Sequence, residues 1–271
     1  MKHLRHPSHN RIVSLAPNVS SILLALGAGR DLVGVSRWCK DVVRVGKRPT
    51  VGDCWKLDVA EVMRLRPTLV IGSVPFAPET VAKLLAQPVA FLAINPRSLT
   101  DIEDNIRTLG SAVNRGGAAE LLIRRMRAGF AAVRRGAATE RKSARPKLYC
   151  EAWPNPRISS PPWVEELVAL AGGTLVVPTG QRVTDEQVAA ANPEIIILAW
   201  AAAGARAKAA TALRNPVWKN VSAVKNRCVV VIRDELLNTP GPPLVRGAQE
   251  LRRAIQRCAS ETTKALRAKR G

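Results

Sequence analysis

The sequence predicts an α/β fold of two similar lobes, each a mainly parallel sheet covered by helices. Three observations lead there: short apolar runs alternate with helical segments over the first hundred residues, the same alternation resumes at Lys147, and two long helical segments without a strand lie in between. A chain of 271 residues is long enough for two cores of ordinary domain size.

The elements follow in order. Arg11 to Leu15 reads as a strand, Ser20 to Leu26 as a helix stopped by Gly27, and Leu32 to Val35 as a second strand. Asp58 to Leu65 reads as a helix, Leu69 to Ile71 as a strand, Glu79 to Leu85 as a helix and Val89 to Ile94 as a strand. Leu99 to Val113 and Ala118 to Ala138 read as long helices. The second sets an apolar stripe of Leu121, Leu122, Met126 and Phe130 against Arg124, Arg125, Arg127, Arg134 and Arg135. After Lys147 come a strand at Leu148 to Ala152, a helix at Val164 to Leu170 ended by Gly172-Gly173, and a strand at Leu175 to Val177. Then follow a helix at Asp185 to Ala191, strands at Glu194 to Trp200 and Cys228 to Ile232, and a closing helix from Val245 to Cys258.

A faint internal repeat supports two related lobes. Leu57 to Pro67 leads into Thr68-Leu-Val-Ile71, and Val183 to Pro193 leads into Glu194-Ile-Ile-Ile197, with Val62 and Val188 in the same register. In both, a proline stops a short helix and sets the entry to an apolar strand.

Composition narrows the function. Apolar residues make up 46%, as in a globular chain, and no apolar run approaches the roughly 20 residues that span a bilayer. The start, Met1 to Asn10, is basic and polar without an apolar core, so no secretory leader is visible and a cytoplasmic location competes with an exported one. Five cysteines in no evident framework do not suggest a disulfide scaffold. The net charge of +21 admits a nucleic-acid partner, whose affinity would fall steeply with salt. The basic residues are spread over many helix faces, however, and one Tyr and three Phe are too few for aromatic-interleaved patches. An Arg-rich solvated surface is the simpler reading, and no specific nucleic-acid partner is expected.

Catalytic constellations are missing. All three histidines, His3, His6 and His9, precede the first strand, leaving none in the body for a triad, a Cys-His pair or a zinc site. No G-x-x-x-x-G-K-[ST] appears, no G-x-G-x-x-G follows the first strand, and no carboxylate pair stands out as an acid/base couple. No catalytic residue, metal site or required cofactor is therefore assigned, and an enzyme is disfavoured. Tryptophan is what the chain does have. Trp38, Trp153 and Trp200 fall at or just beyond the C-terminal ends of strands, the ligand-facing edge of an open parallel sheet. Trp55 sits in a loop ahead of a helix. Trp163 and Trp218, in amphipathic context, read as core.

These segments carry a family resemblance. Arg11-Ile-Val-Ser-Leu-Ala-Pro-Asn18, Ile22 to Ala28, Leu32-Val-Gly-Val-Ser36 and Trp38-Cys39 resemble the opening of substrate-binding proteins of vitamin B12 and ferric-siderophore ABC importers. Asn215-Pro-Val-Trp218, Arg227 to Ile232 and Pro240 to Val245 resemble its later segments. Glu151-Ala-Trp-Pro-Asn-Pro156 with Pro162 to Leu167 is similar to the cobalamin-binding subgroup.

The resemblance implies a class III periplasmic-binding-protein fold: α/β, two Rossmann-like lobes bridged by one long α-helix, with the ligand in the cleft. The N-terminal lobe would occupy residues 1–113, the connecting helix 114–144 and the C-terminal lobe 145–271. It implies a non-catalytic monomer that binds cobalamin or another corrinoid and hands it to an ABC transporter permease. An intracellular carrier without a transporter, or a ferric-siderophore or heme binder, is the alternative. Trp38 and Trp55 would pack on the macrocycle. Backbone near Pro17, Asn18, Ser73 and Trp153 would meet its polar edge, with Trp200, Arg233 and Asp234 adding to the site. Family members dock on their transporter through one exposed Glu per lobe. Glu186 matches the second, and the first falls on Ala60 with Glu61 beside it. The disulfide of some B12-binding members has no matching cysteine pair, and Cys39 reads as a buried apolar residue.

Overall fold

A computed structural model describes residues 10–139, 145–201 and 207–268, with side chains as far as Glu261. The N-terminal histidines lie outside them. Five parallel strands form the first sheet: β1 (Ile12–Ser14), β2 (Leu32–Ser36), β3 (Thr50–Val51), β4 (Leu69–Ser73) and β5 (Ala90–Ile94), in the order β3-β2-β1-β4-β5. A sheet with helices on its faces needs apolar residues on both sides of each strand. Accordingly Ile12, Val13, Val35, Val70 and Ile71 have no exposed surface.

Helix α1 (Pro17–Ala25) begins three residues before the expected start, because Pro17 at the first helical position brings a backbone angle already suited to a helix. Gly27, at φ +74°, supplies the left-handed conformation that ends it. Next come α2 (Cys39–Val42), α3 (Val59–Arg64), α4 (Pro78–Leu85), α5 (Leu99–Ala112) and α6 (Gly116–Thr139). The chain divides into two compact units. One runs to Pro96 and includes Thr100–Arg124; the other holds Arg97–Leu99 and everything from Arg125. The boundary thus falls within α6.

The second unit contains β6 (Lys147–Pro154), β7 (Arg157–Ser159), α7 (Trp163–Ala171), β8 (Thr174–Leu175), α8 (Asp185–Ala191) and β9 (Ile195–Leu198). It continues with α9 (Ala209–Leu213), α10 (Ser222–Lys225), β10 (Val229–Val231), α11 (Glu235–Asn238) and α12 (Pro243–Ala268). The strands run β10-β9-β6-β7, with β8 also paired to β6; all pairings are parallel except that of β7 with β6. The strand expected over Leu175 to Val177 is shorter and starts earlier.

The repeat seen in the sequence is physical. In the first unit β2-β1-β4-β5 lie side by side, and in the second β8-β6-β9-β10 lie in the same order. Asp58 caps α3 by accepting from the Ala60 amide, and Thr184 caps α8 in a reciprocal capping box with Gln187. Each helix is followed by a left-handed residue before its proline, Arg66 at φ +48° and Asn192 at φ +44°. Val62 and Val188 are both fully buried, each in its own core: Val13, Leu15, Val51, Val70 and Leu84 surround the first, Tyr149, Ile196, Leu198 and Trp218 the second.

One glycine shows how closely the second unit is packed. A Cβ on Gly247 of α12 would lie 1.9 Å from the Leu236 carbonyl oxygen, a backbone atom that cannot rotate away. Gly247→Ala is expected to destabilise the fold by about 1–3 kcal/mol, read as a lower urea midpoint; an unchanged midpoint would contradict this packing.

Candidate ligand-binding site

In the first unit the aromatic residues converge on a carboxylate that their spacing does not announce. Trp38 follows β2 by two residues and caps α2, while Asp53 follows β3 by two. Both therefore sit at strand C-termini. The buried Asp53 Oδ2 accepts from Trp38 Nε1 at 2.7 Å and from Arg37 Nη2 at 3.3 Å, and its Oδ1 accepts from the backbone amides of Trp55 at 3.0 Å and Lys56 at 2.9 Å. The two amide bonds form an Asx-type turn that fixes the Trp55 loop. The Arg37 guanidinium lies over the Trp38 ring, 4.5 Å from its centre, in cation–π geometry. Burial pushes the Asp53 carboxyl up, but the Lys56 amide, the Trp38 indole, the Trp55 amide and the Arg37 charge outweigh it and hold it below the ordinary carboxylate value.

Both rings remain available. Trp38 is 37% and Trp55 63% exposed, against 8% for Trp163 and 1% for Trp218. That contrast separates exposed from core tryptophan. Pro17 and Asn18 open α1 just beyond β1, and Ser73 ends β4, so all three belong to the same sheet edge. Asn18 is buried, and its Nδ2 has no hydrogen-bond partner.

The second unit repeats the device with different residues. Glu151, buried in β6, accepts from Trp200 Nε1 at 2.8 Å, from the Tyr149 hydroxyl at 2.9 Å and from Arg157 Nη1. Tyr149 and Glu151 share a strand face through the two-residue period, and Arg157 comes from the neighbouring β7. Arg157 also pairs with Asp185 at 2.8 Å and lies 4.3 Å from the centre of the Trp218 ring. Burial raises the Glu151 carboxyl above its ordinary value, opposed by Arg157 and the two neutral donors. Trp200 follows β9 by two residues but is half-buried, packed on the core with its indole N–H committed to Glu151. Trp153 is 41% exposed near the end of β6, its Nε1 bonded to the Asn155 carbonyl at 2.8 Å. Arg233 and Asp234 follow β10; Arg233 is paired with Glu235, and Asp234 immediately precedes α11.

Among the sequence-derived candidates the structure joins Trp38 and Trp55 through Asp53. It places Pro17, Asn18 and Ser73 on the same edge, and Trp153, Trp200, Arg233 and Asp234 on the corresponding edge of the second sheet. Sequence reasoning missed Asp53, Arg37, Glu151, Tyr149 and Arg157. A lone carboxylate inside the apolar run Leu148 to Ala152 was the available signal, since such a group must find a partner. The two docking candidates are exposed in first turns. Glu61 pairs with Arg64 at 3.8 Å, and the Glu186 carboxyl is held below its ordinary value by its own backbone amide and the Thr184 hydroxyl. They occupy the third and second positions of their helices, a rotation of about 100° between them. A shallow cavity of about 590 Å³ between α3 and α4 is lined by Ala60, Met63 and Lys83 among others, and by none of the aromatic candidates.

Asp53→Asn is expected to lower stability by about 2 kcal/mol at neutral pH, because an amide nitrogen cannot accept from the Trp38 indole or pair with Arg37. The folded-state value of Asp53 lies below its unfolded one. Its contribution is therefore complete above the unfolded value, near pH ~4, and disappears as pH falls through the folded one. Urea unfolding of both proteins across that range is expected to show the gap closing on acidification; a pH-independent gap would contradict the role given to the Asp53 charge.

Comparison with known proteins identifies the architecture. A profile described as periplasmic binding protein matches residues 12–236. An uncharacterised ABC transporter substrate-binding lipoprotein of Bacillus subtilis (strain 168) is 28% identical over 258 residues, 90% of this chain and 79% of that protein. The vitamin B12-binding protein of Vibrio cholerae serotype O1 (strain M66-2) is 24% identical over 253 residues, 89% of this chain and 87% of that protein. The solved periplasmic heme-binding protein of Roseiflexus sp. RS-1 matches with a TM-score of 0.81 at 25% identity, covering 93% of this chain and 100% of that one. The class III fold expected from the sequence is thereby found, and no described helix is long and apolar enough to cross a membrane. The chain belongs to the periplasmic binding protein family, as a non-catalytic substrate-binding protein of the ABC-importer type.

Proposed function

We propose that this protein captures a corrinoid, with cobalamin as the first candidate, and delivers it to an ABC importer. The observation that carries the reading is the pair of exposed tryptophans at the C-terminal edge of a parallel sheet, Trp38 held through its indole N–H and Trp55 through its backbone amide by one buried carboxylate. Rigid aromatic faces suit a broad macrocycle, because ordering them costs little on binding. In this reading Trp153 and the backbone near Pro17, Asn18 and Ser73 meet the polar rim, and Trp200, Arg233 and Asp234 shape the second unit's share. Segment 114–144 joins the lobes, and Glu61 and Glu186 meet the permease. Resemblance to the V. cholerae vitamin B12-binding protein supports the ligand class.

Heme is the second reading, favoured by the likeness to the Roseiflexus heme-binding protein. Heme iron is usually held by a protein ligand such as His, Tyr, Cys or Met. The single Tyr of this chain, Tyr149, is buried and gives its hydroxyl to Glu151. A corrinoid arrives with its cobalt already ligated and makes no such demand.

Titration with cyanocobalamin, cobinamide and hemin, followed by tryptophan fluorescence and calorimetry, tests the proposal. One-to-one corrinoid binding is expected, weakened about tenfold or more by Trp55→Ala through loss of roughly 1.5 kcal/mol of ring contact. Binding of hemin with no response to either corrinoid would overturn the corrinoid reading in favour of heme, and binding of none would overturn both.

A further inference from the structure

The second unit also gathers three side chains of metal-binding type. Cys228 immediately precedes β10, and Cys258 and Glu261 lie three residues apart on one face of α12. The two Sγ atoms and a Glu261 carboxylate oxygen all lie within 4.8 Å of one another, the only such group among the described residues. Both thiols are buried, at 1% and 3% exposure, while Glu261 is exposed.

We propose that Cys228, Cys258 and Glu261 form a site for a thiophilic divalent cation such as Zn²⁺, which clips α12 to the start of β10. A tetrahedral zinc ion with Zn–S bonds of about 2.3 Å and a Zn–O bond of about 2.0 Å holds its sulfurs about 3.8 Å apart and each sulfur about 3.5 Å from the oxygen, so contraction by no more than about 1.3 Å closes the group. Two sulfurs and a carboxylate fill three positions, and the exposed side leaves the fourth to water and gives the ion its way in. On binding, each thiol gives its proton to the buffer and becomes a thiolate. Two thiolates and a carboxylate leave one net negative charge around a divalent ion; in the metal-free protein the hydrogen bond with Cys228 and burial hold the Cys258 thiol above its ordinary value, so the ion has to displace its proton. The site is independent of the ligand proposed above and concerns the attachment of the terminal helix.

The test uses the full chain, reduced and stripped of metal, titrated with Co²⁺ and Cd²⁺. One equivalent is expected to produce a thiolate-to-metal charge-transfer band, and Zn²⁺ to raise the thermal midpoint. The band is expected to be lost in Cys228→Ser and in Cys258→Ser. Glu261→Gln, an exposed change that leaves the core untouched, is expected to weaken binding at least about tenfold. The variant Cys39→Ser is expected to keep both effects. Absence of the band in the reduced protein, its survival in Cys258→Ser, or unchanged affinity in Glu261→Gln would overturn the site.

Discussion

A buried carboxylate that must be paired governs the arrangement of each unit. Removing a charge from water costs several kcal/mol unless hydrogen bonds and an opposite charge replace the lost hydration. Asp53 meets that demand with two backbone amides, an indole and a guanidinium; Glu151 meets it with a phenol, an indole and a guanidinium. Each acid therefore dictates where a tryptophan and an arginine stand. In the first unit the consequence is a fixed Trp38 ring and a fixed loop backbone at Trp55, with both rings open to solvent. In the second, Trp200 is drawn inward and Trp153 carries the exposed aromatic face.

The two units reach this common device from different strands. Asp53 lies beyond β3 and pairs with a tryptophan beyond β2, whereas Glu151 lies within β6 and pairs with a tryptophan beyond β9. Their frameworks nonetheless share strand order, capped helices α3 and α8, and left-handed residues before Pro67 and Pro193. Repeated framework with unrepeated site residues is the expected outcome when packing demands are the same and ligand-facing demands differ. The strand edge offers positions in both units, and side-chain choice decides what each presents.

Much of this was legible in the sequence because burial imposes periodicity. The long segments α5, α6 and α12 and the apolar strands β4 and β9 follow from spacing alone. What escaped were elements too short to show a period: the two residues of β3, the three of β7 that follow a proline, and the four-residue helices. The site was legible in part. Exposed Trp38, Trp55 and Trp153 and buried Trp163 and Trp218 match the distinction drawn from strand ends and amphipathic context, while Trp200 lies half-buried. The acids were overlooked because scarcity of carboxylates bears on acid/base pairs, while one carboxylate suffices as a clamp. Arg37 and Arg157 could not be told from the other basic residues of a chain with net charge +21, since only their pairing sets them apart.

The central claim is that the exposed indoles at the sheet edges, and not those of the cores, meet the ligand. The most direct measurement is an NMR spectrum of protein labelled with ¹⁵N at its six indole nitrogens, recorded with and without cyanocobalamin. The account predicts that the Trp38, Trp55 and Trp153 signals move while those of Trp163 and Trp218 stay in place. Saturable binding that leaves the first three unmoved, or shifts confined to Trp163 and Trp218, would contradict it.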